Sequence, residues 1–230
     1  MGFFSADTAV YQIRYRHRSE EVLEVIPADF AGVLVTDRGK SYDAEVFLDV
    51  RQQKCLGHLL RNISEVLEDK TGPSRQFGLR LKGLLQQALE LGDREPSLDR
   101  TLSVQRLDQE LTSMLRNRVL KDDDNQRLLN GIGTQMDRDR ILTFLQVPGV
   151  DGTNNFGERM LRLAVIARKV SQCSKNDLGA HASAALHFCL ASWLEVASRI
   201  RQPITIPSAA WRSRSDAKPR KLLRPASPRI

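Results

Sequence analysis

The spacing of apolar residues changes period several times along the chain, and each change predicts an element. Phe3 and Phe4 are followed by Ala6-Asp7-Thr8 and then by Val10-Tyr11-Gln12-Ile13-Arg14-Tyr15, which is rich in strand-forming side chains. That order predicts a β-hairpin over residues 2–15. Ser19-Glu20-Glu21 predicts a short helix with Ser19 as N-cap and Val22, Leu23, Val25 and Ile26 on its apolar side, ending between Pro27 and Gly32. Gly32-Val33-Leu34-Val35-Thr36-Asp37 is an apolar run that ends on a carboxylate, the pattern of a strand buried on both faces.

From Gln52 the pattern begins as a strand and turns helical, carrying Leu59, Leu60, Ile63, Val66 and Leu67. Residues 75–145 read as helices. Leu81, Leu84, Leu85, Ala88 and Leu89 form one stripe, and Leu107, Leu111, Met114, Leu115 and Val119 a second, with Gly92-Asp93-Arg94-Glu95-Pro96 between them. Spacings of three and four predict core for both stripes. Pro148-Gly149 interrupts the pattern, a helix restarts near Asn155, and a last apolar helix covers roughly residues 181–196. Residues 201–230 hold eight Arg and Lys against the single acid Asp216, with five prolines, and predict a disordered, solvated basic tail. The order strand–strand–helix–strand followed by helices is mixed α/β. It is not a doubly wound parallel sheet, because the first two strands pair as a hairpin.

Composition narrows the partners. Hydrophobic residues make up 41% of the 230, enough for a packed core. The excess of 35 Lys and Arg over 28 Asp and Glu, a net charge of +7, favours polyanions. Three cysteines make no disulfide framework and suit a reduced, cytoplasmic setting. No apolar run approaches the ~18–20 residues that cross a bilayer, so no membrane partner is expected. The N-terminal segment lacks the basic flank and apolar core of a signal peptide, and Ala6 stands where a myristoylation motif needs Ser or Thr.

Two acids are candidates for chemistry. Asp37 ends a buried-type strand, where α/β proteins place functional groups; the commoner use of such an Asp is to form the next turn. Glu158 lies three residues after Asn155, a spacing that also reads as a capping box. Capping leaves unexplained the paired Asn154 and Asn155 and the basic helix that follows, with Arg159, Arg162, Arg168 and Lys169, then Lys175. That face suits DNA phosphates or simply solvent. Cys55 and His58 are zinc-type ligands without a second pair at metal spacing, and His181 and His187, six apart, share no helix face. Spacing alone assigns all four to packing.

Thr36-Asp37, Gln53-Lys54-Cys55-Leu56-Gly57-His58-Leu59-Leu60-Arg61 and TNNFGERMLRLAVIARKVSQCSKNDLGA at 153–180 together resemble transposases of the insertion-sequence sixty-six family, over roughly residues 2–197. The resemblance implies an α/β fold: an incomplete ribonuclease H-like core with a large helical insertion. Residues 1–70 and 148–200 would belong to the core, 71–147 to the insertion and 201–230 to the tail. It implies DDE chemistry, in which three carboxylates hold two Mg²⁺ (or Mn²⁺) ions that cleave and rejoin DNA at insertion-sequence ends. By position Asp37 is the second carboxylate and Glu158 the third, so the two should share a cation. His58, Asn154 and Asn155 would be neighbours of the site. The first carboxylate belongs on a strand ahead of the hairpin, and none stands there; Asp7 falls in the hairpin turn. Arg38, Leu163 and Cys173 depart from residues common in the family. The expected function is therefore a DDE transposase fragment, catalytically incomplete as written. The alternative is a non-catalytic remnant that binds DNA, itself or a full-length transposase. The setting implied is the bacterial cytoplasm, at the nucleoid when on DNA.

Overall fold

A computed structural model describes residues 1–189 apart from Ala6, Asp7, Tyr15, Asn117, Asp177, Phe188 and residues 171–175. The chain divides into two compact units, Met1–Ser192 and Trp193–Ile230, and the described residues all belong to the first. The predicted tail over 201–230 and the end of the predicted helix over 181–196 thus lie outside the described residues; residues 178–187 are helical.

The hairpin forms as β1 (Gly2–Phe4) and β2 (Ala9–Tyr11), antiparallel, with Phe3 opposite Val10. Helix α1 (Ser19–Leu23) starts one residue earlier than predicted. Ser19 is already helical, Arg18 is the N-cap, and its backbone N–H donates to the Glu21 carboxylate. The apolar run after Gly32 forms β3 (Leu34–Thr36), parallel to β4 (Gln52–Lys54), with Val35 opposite Gln53. Between them the chain makes two short 3-10 turns, Lys40–Asp43 and Glu45–Phe47. Among the described residues the strands make two separate two-stranded sheets, so the architecture is mixed α/β without one continuous core sheet.

Strand β4 is polar in sequence yet Gln52, Gln53 and Lys54 are all buried. Burial of polar groups is tolerated only when their hydrogen bonds are met. Gln52 Nε2 donates to the carbonyls of Tyr42 (2.8 Å) and Phe47 (3.1 Å). Gln53 donates to the Ile141 carbonyl (2.9 Å) and accepts from the Phe144 N–H (3.0 Å). Lys54 Nζ reaches Asp43 (3.0 Å), Thr36 Oγ1 (3.2 Å) and Gln52 Oε1 (3.1 Å). Burial pushes the Lys54 pKa down, and Asp43 pulls it the other way.

Past β4 the described elements are helical: α2 (Leu56–Leu67), α3 (Gly72–Gly92), α4 (Leu98–Leu115), α5 (Asp123–Asp137), α6 (Thr143–Gln146) and α7 (Asn155–Val170). The side chains of Ser97 and Asp122 cap α4 and α5 by accepting from the N–H groups of Arg100 and Asn125, each at 3.0 Å. The predicted stripes interlock in one cluster that holds Leu59, Ile63, Leu81, Leu85, Leu107, Leu111 and Ile132. Val119 is the exception. It lies past the end of α4 and is 95% exposed, so the second stripe stops at Leu115. No helix is long and apolar enough to cross a membrane among the described residues.

Candidate functional site

Asp37 follows β3 directly and is half-buried. Its Oδ1 accepts from the Gly39 N–H at 2.9 Å, so part of the carboxylate does serve the turn. Glycine fits there because a Cβ at position 39 would stand 2.9 Å from that same oxygen. Tyr42 packs nearby, and burial, helped by the Asp37 charge, pushes its pKa up to about 12. Asp37 borders a cavity of about 730 Å³, lined also by β1, by β3, by Ile26 and Phe30, and by Asp151, Thr153, Asn154, Phe156 and Gly157. Among the described residues β1 pairs with β2 alone and β3 with β4 alone, and both strands line this cavity.

The T-N-N-F-G-E-R segment is held against the β4–α2 junction by two backbone groups. The Leu56 N–H donates to the Gly152 carbonyl (2.9 Å), and the Asn154 N–H donates to Cys55 Sγ (3.1 Å). Helix α7 begins at Asn155, so Asn154 precedes it and the Glu158 N–H bonds the Asn154 carbonyl (3.0 Å). The capping box expected from Asn155 and Glu158 is therefore absent: Asn155 is already helical, and the Glu158 carboxylate faces His58, Nε2 to Oε1 at 3.5 Å. Gly157 keeps the turn open, since a Cβ there would meet Asn154 Oδ1 at 2.5 Å.

Asp37 and Asn154 thus share a cavity, while Glu158 is not among its lining residues. Glu158 joins Cys55 and His58 instead. Their ligand atoms all lie within 4.8 Å of one another, the one such set of three among the described residues, and Asp37 is not a member. Sequence spacing picked out two members of this group, Cys55 and His58, and not Glu158, which stands 103 residues downstream of Cys55. Of the basic residues, Arg159, Arg162, Arg168 and Lys169 are exposed on α7, interleaved with the exposed Val165 and Ile166. Arg159, Arg162 and Lys169 share a face by their three- and seven-residue spacing, and Arg168 falls off it. Lys175 lies outside the described residues. Asp43, a nearby acid, is held by Lys54 and by the buried Arg140, each at 3.0 Å, and Asp7 lies outside the described residues. Sequence reading missed this trio, two buried cations on a half-buried carboxylate, because its members come from three distant segments.

A family model described as Transposase IS66 family matches residues 3–182. No curated protein and no solved structure matches the chain.

Proposed function

The chain belongs to the transposase IS66 family, and from that premise we propose that it is the part of a DDE-type transposase that holds the second and third carboxylates, Asp37 and Glu158, and that these 230 residues alone do not cleave or join DNA. The family points to transposition and to use of a divalent metal. The placement of the acids carries the finer reading. Asp37 closes a parallel strand, and Glu158 stands in the first turn of α7, directly after Asn154, Phe156 and Gly157, which line the same cavity as Asp37. Strand ends are where α/β proteins gather catalytic groups.

In such enzymes paired Mg²⁺ (or Mn²⁺) ions activate the attacking oxygen and stabilise the leaving one. The residues here do not fit such a pair. Magnesium takes hard oxygen ligands in near-octahedral geometry, whereas the set of three around Glu158 offers sulfur and imidazole and no second carboxylate. Asp43 is already engaged by two cations. This donor deficit supports the incomplete reading.

What these residues do themselves is bind and orient. The Arg159, Arg162 and Lys169 face of α7 offers phosphate contacts beside Glu158, and Arg168, Lys175 and the Arg and Lys of residues 201–230 are further candidates by charge alone. Association with DNA through it is sequence-independent and weakens steeply with salt. The test pairs two assays on one preparation. Gel shifts over a salt series should show retention at low salt, and Arg162→Ala and Lys169→Ala should each lower the log–log slope by about one. Labelled insertion-sequence ends in Mg²⁺ should stay uncut. Cleavage that disappears in Asp37→Ala overturns the incompleteness, and absence of DNA retention at low salt overturns the DNA-binding half.

A further inference from the structure

We propose that Cys55, His58 and Glu158 form a three-ligand site for a zinc-type divalent cation. Cys55 is the N-cap of α2 and His58 lies on that helix's first turn, so their spacing of three puts both on one side of it. Glu158 comes from the first turn of α7, and two hydrogen bonds, Leu56 N–H to the Gly152 carbonyl and Asn154 N–H to Cys55 Sγ, hold the start of α7 against the start of α2. The ligands sit on helix starts rather than on a free loop, which is what a pre-formed site needs.

The three atoms graded by exposure describe a cup. Cys55 is 1% exposed at the bottom, and the His58 and Glu158 side chains are 31% and 45% exposed at the rim. His58 is under-bonded at both ring nitrogens. Nδ1 is buried with no hydrogen-bond partner, and Nε2 has only the 3.5 Å approach to Glu158. A buried ring nitrogen without a partner is costly, so the ring is not locked by hydrogen bonds, and Nε2, the nitrogen that faces Glu158, is the one placed to ligate with it. Sulfur, imidazole and one carboxylate match Zn²⁺ and Co²⁺ and mismatch Mg²⁺. Three protein ligands leave the fourth tetrahedral position to water at the open rim. On binding, the Cys55 S–H bond breaks, its proton goes to solvent and the sulfur bonds the metal. No redox partner is required. Such an ion also competes for the Glu158 oxygens assigned above to transposition, but its binding does not depend on that reading.

The experiment titrates the full chain with Co²⁺ under reducing conditions, with no DNA present. The expected result is a saturable 1:1 signal with thiolate-to-cobalt charge transfer in the near ultraviolet and visible bands of tetrahedral intensity. Zn²⁺ should abolish the signal, and an equal concentration of Mg²⁺ should leave it unchanged. Cys55→Ser should remove the charge-transfer band. His58→Gln and Glu158→Gln, both at the exposed rim and thus safe for folding, should each weaken binding about tenfold or more, that is by ~1.4 kcal/mol. Absence of 1:1 binding to the folded chain overturns the proposal. So does a signal that survives both rim variants, which would place the ion on another cysteine. Loss of metal binding with DNA retention intact would sink this site and leave the transposase reading standing.

Discussion

The helical region and the strand region hold themselves together by different means. From Leu56 to Leu145 apolar side chains of five helices interlock in one continuous cluster. Around the strands, the second cluster rests on Val22, Phe47 and Val50, with Phe3, Leu34 and Phe30 only partly buried against it. The helices spend polar groups at their ends, as caps. The strand region buries Gln52, Gln53 and Lys54 in its middle, with Arg140 from beyond α5 joining Lys54 at Asp43. Local helix contacts bury apolar faces between neighbours in sequence, whereas a two-stranded sheet has an unpaired edge on each side and needs more strands or a cover to become stable. Residues of β1 and of β3, one strand from each sheet, line the cavity that carries Asp37.

The largest effect is expected where a polar network joins the two regions. Asp43→Asn leaves Lys54 and Arg140 buried without their anion. It should cost about 3–5 kcal/mol in urea denaturation, the usual consequence of stripping one partner from a buried ion pair; a loss under ~1 kcal/mol would mean the network is solvated. The same network sets a pH dependence. Burial lowers the Lys54 pKa in the fold, so the unfolded chain binds that proton more tightly. Stability should therefore rise as pH climbs from the lowered folded value toward the ordinary 10.5, and Lys54→Met should flatten the rise.

Next in size comes the bundle itself. Leu85, fully buried, should cost about 2–5 kcal/mol when cut to Ala, by transfer and cavity terms together. In the hairpin, Phe3→Ala should cost on the order of 1 kcal/mol, because the ring is only partly buried. Amide exchange sharpens the contrast: β1 and β2 should exchange well before the middle of α3. Equal protection in the two regions would erase the distinction drawn between them. The smallest effect belongs to the bundle's outer surface, where Arg80 meets Glu110 at 2.8 Å with both side chains largely exposed. Arg80→Ala should change stability by no more than about 0.5 kcal/mol.

The helices were legible because their information is local. Leucines at three- and four-residue spacing announced α3 and α4, and Val119 misled only because periodicity does not say where a helix stops. The strand β3 and the hairpin were legible for the same reason, from runs of strand-forming residues. The sequence by itself also carried the family likeness, through Asp37 and the T-N-N-F-G-E-R segment, and made Glu158 a candidate acid.

Tertiary structure alone decided the rest, because the deciding contacts join residues far apart in the chain. Gln52-Gln53-Lys54 reads only as the start of a strand, and its burial depends on the hydrogen bonds and ion pair that Tyr42, Ile141 and Asp43 supply. Asn155 and Glu158 read as a cap until α7 begins a residue early and turns the carboxylate toward His58. Cys55 and His58 read as packing residues until the fold brings Glu158 to them. Spacing along a chain reports only which residues share a face of one element; which faces meet is set by packing, and packing appears in the sequence only as a pattern of burial.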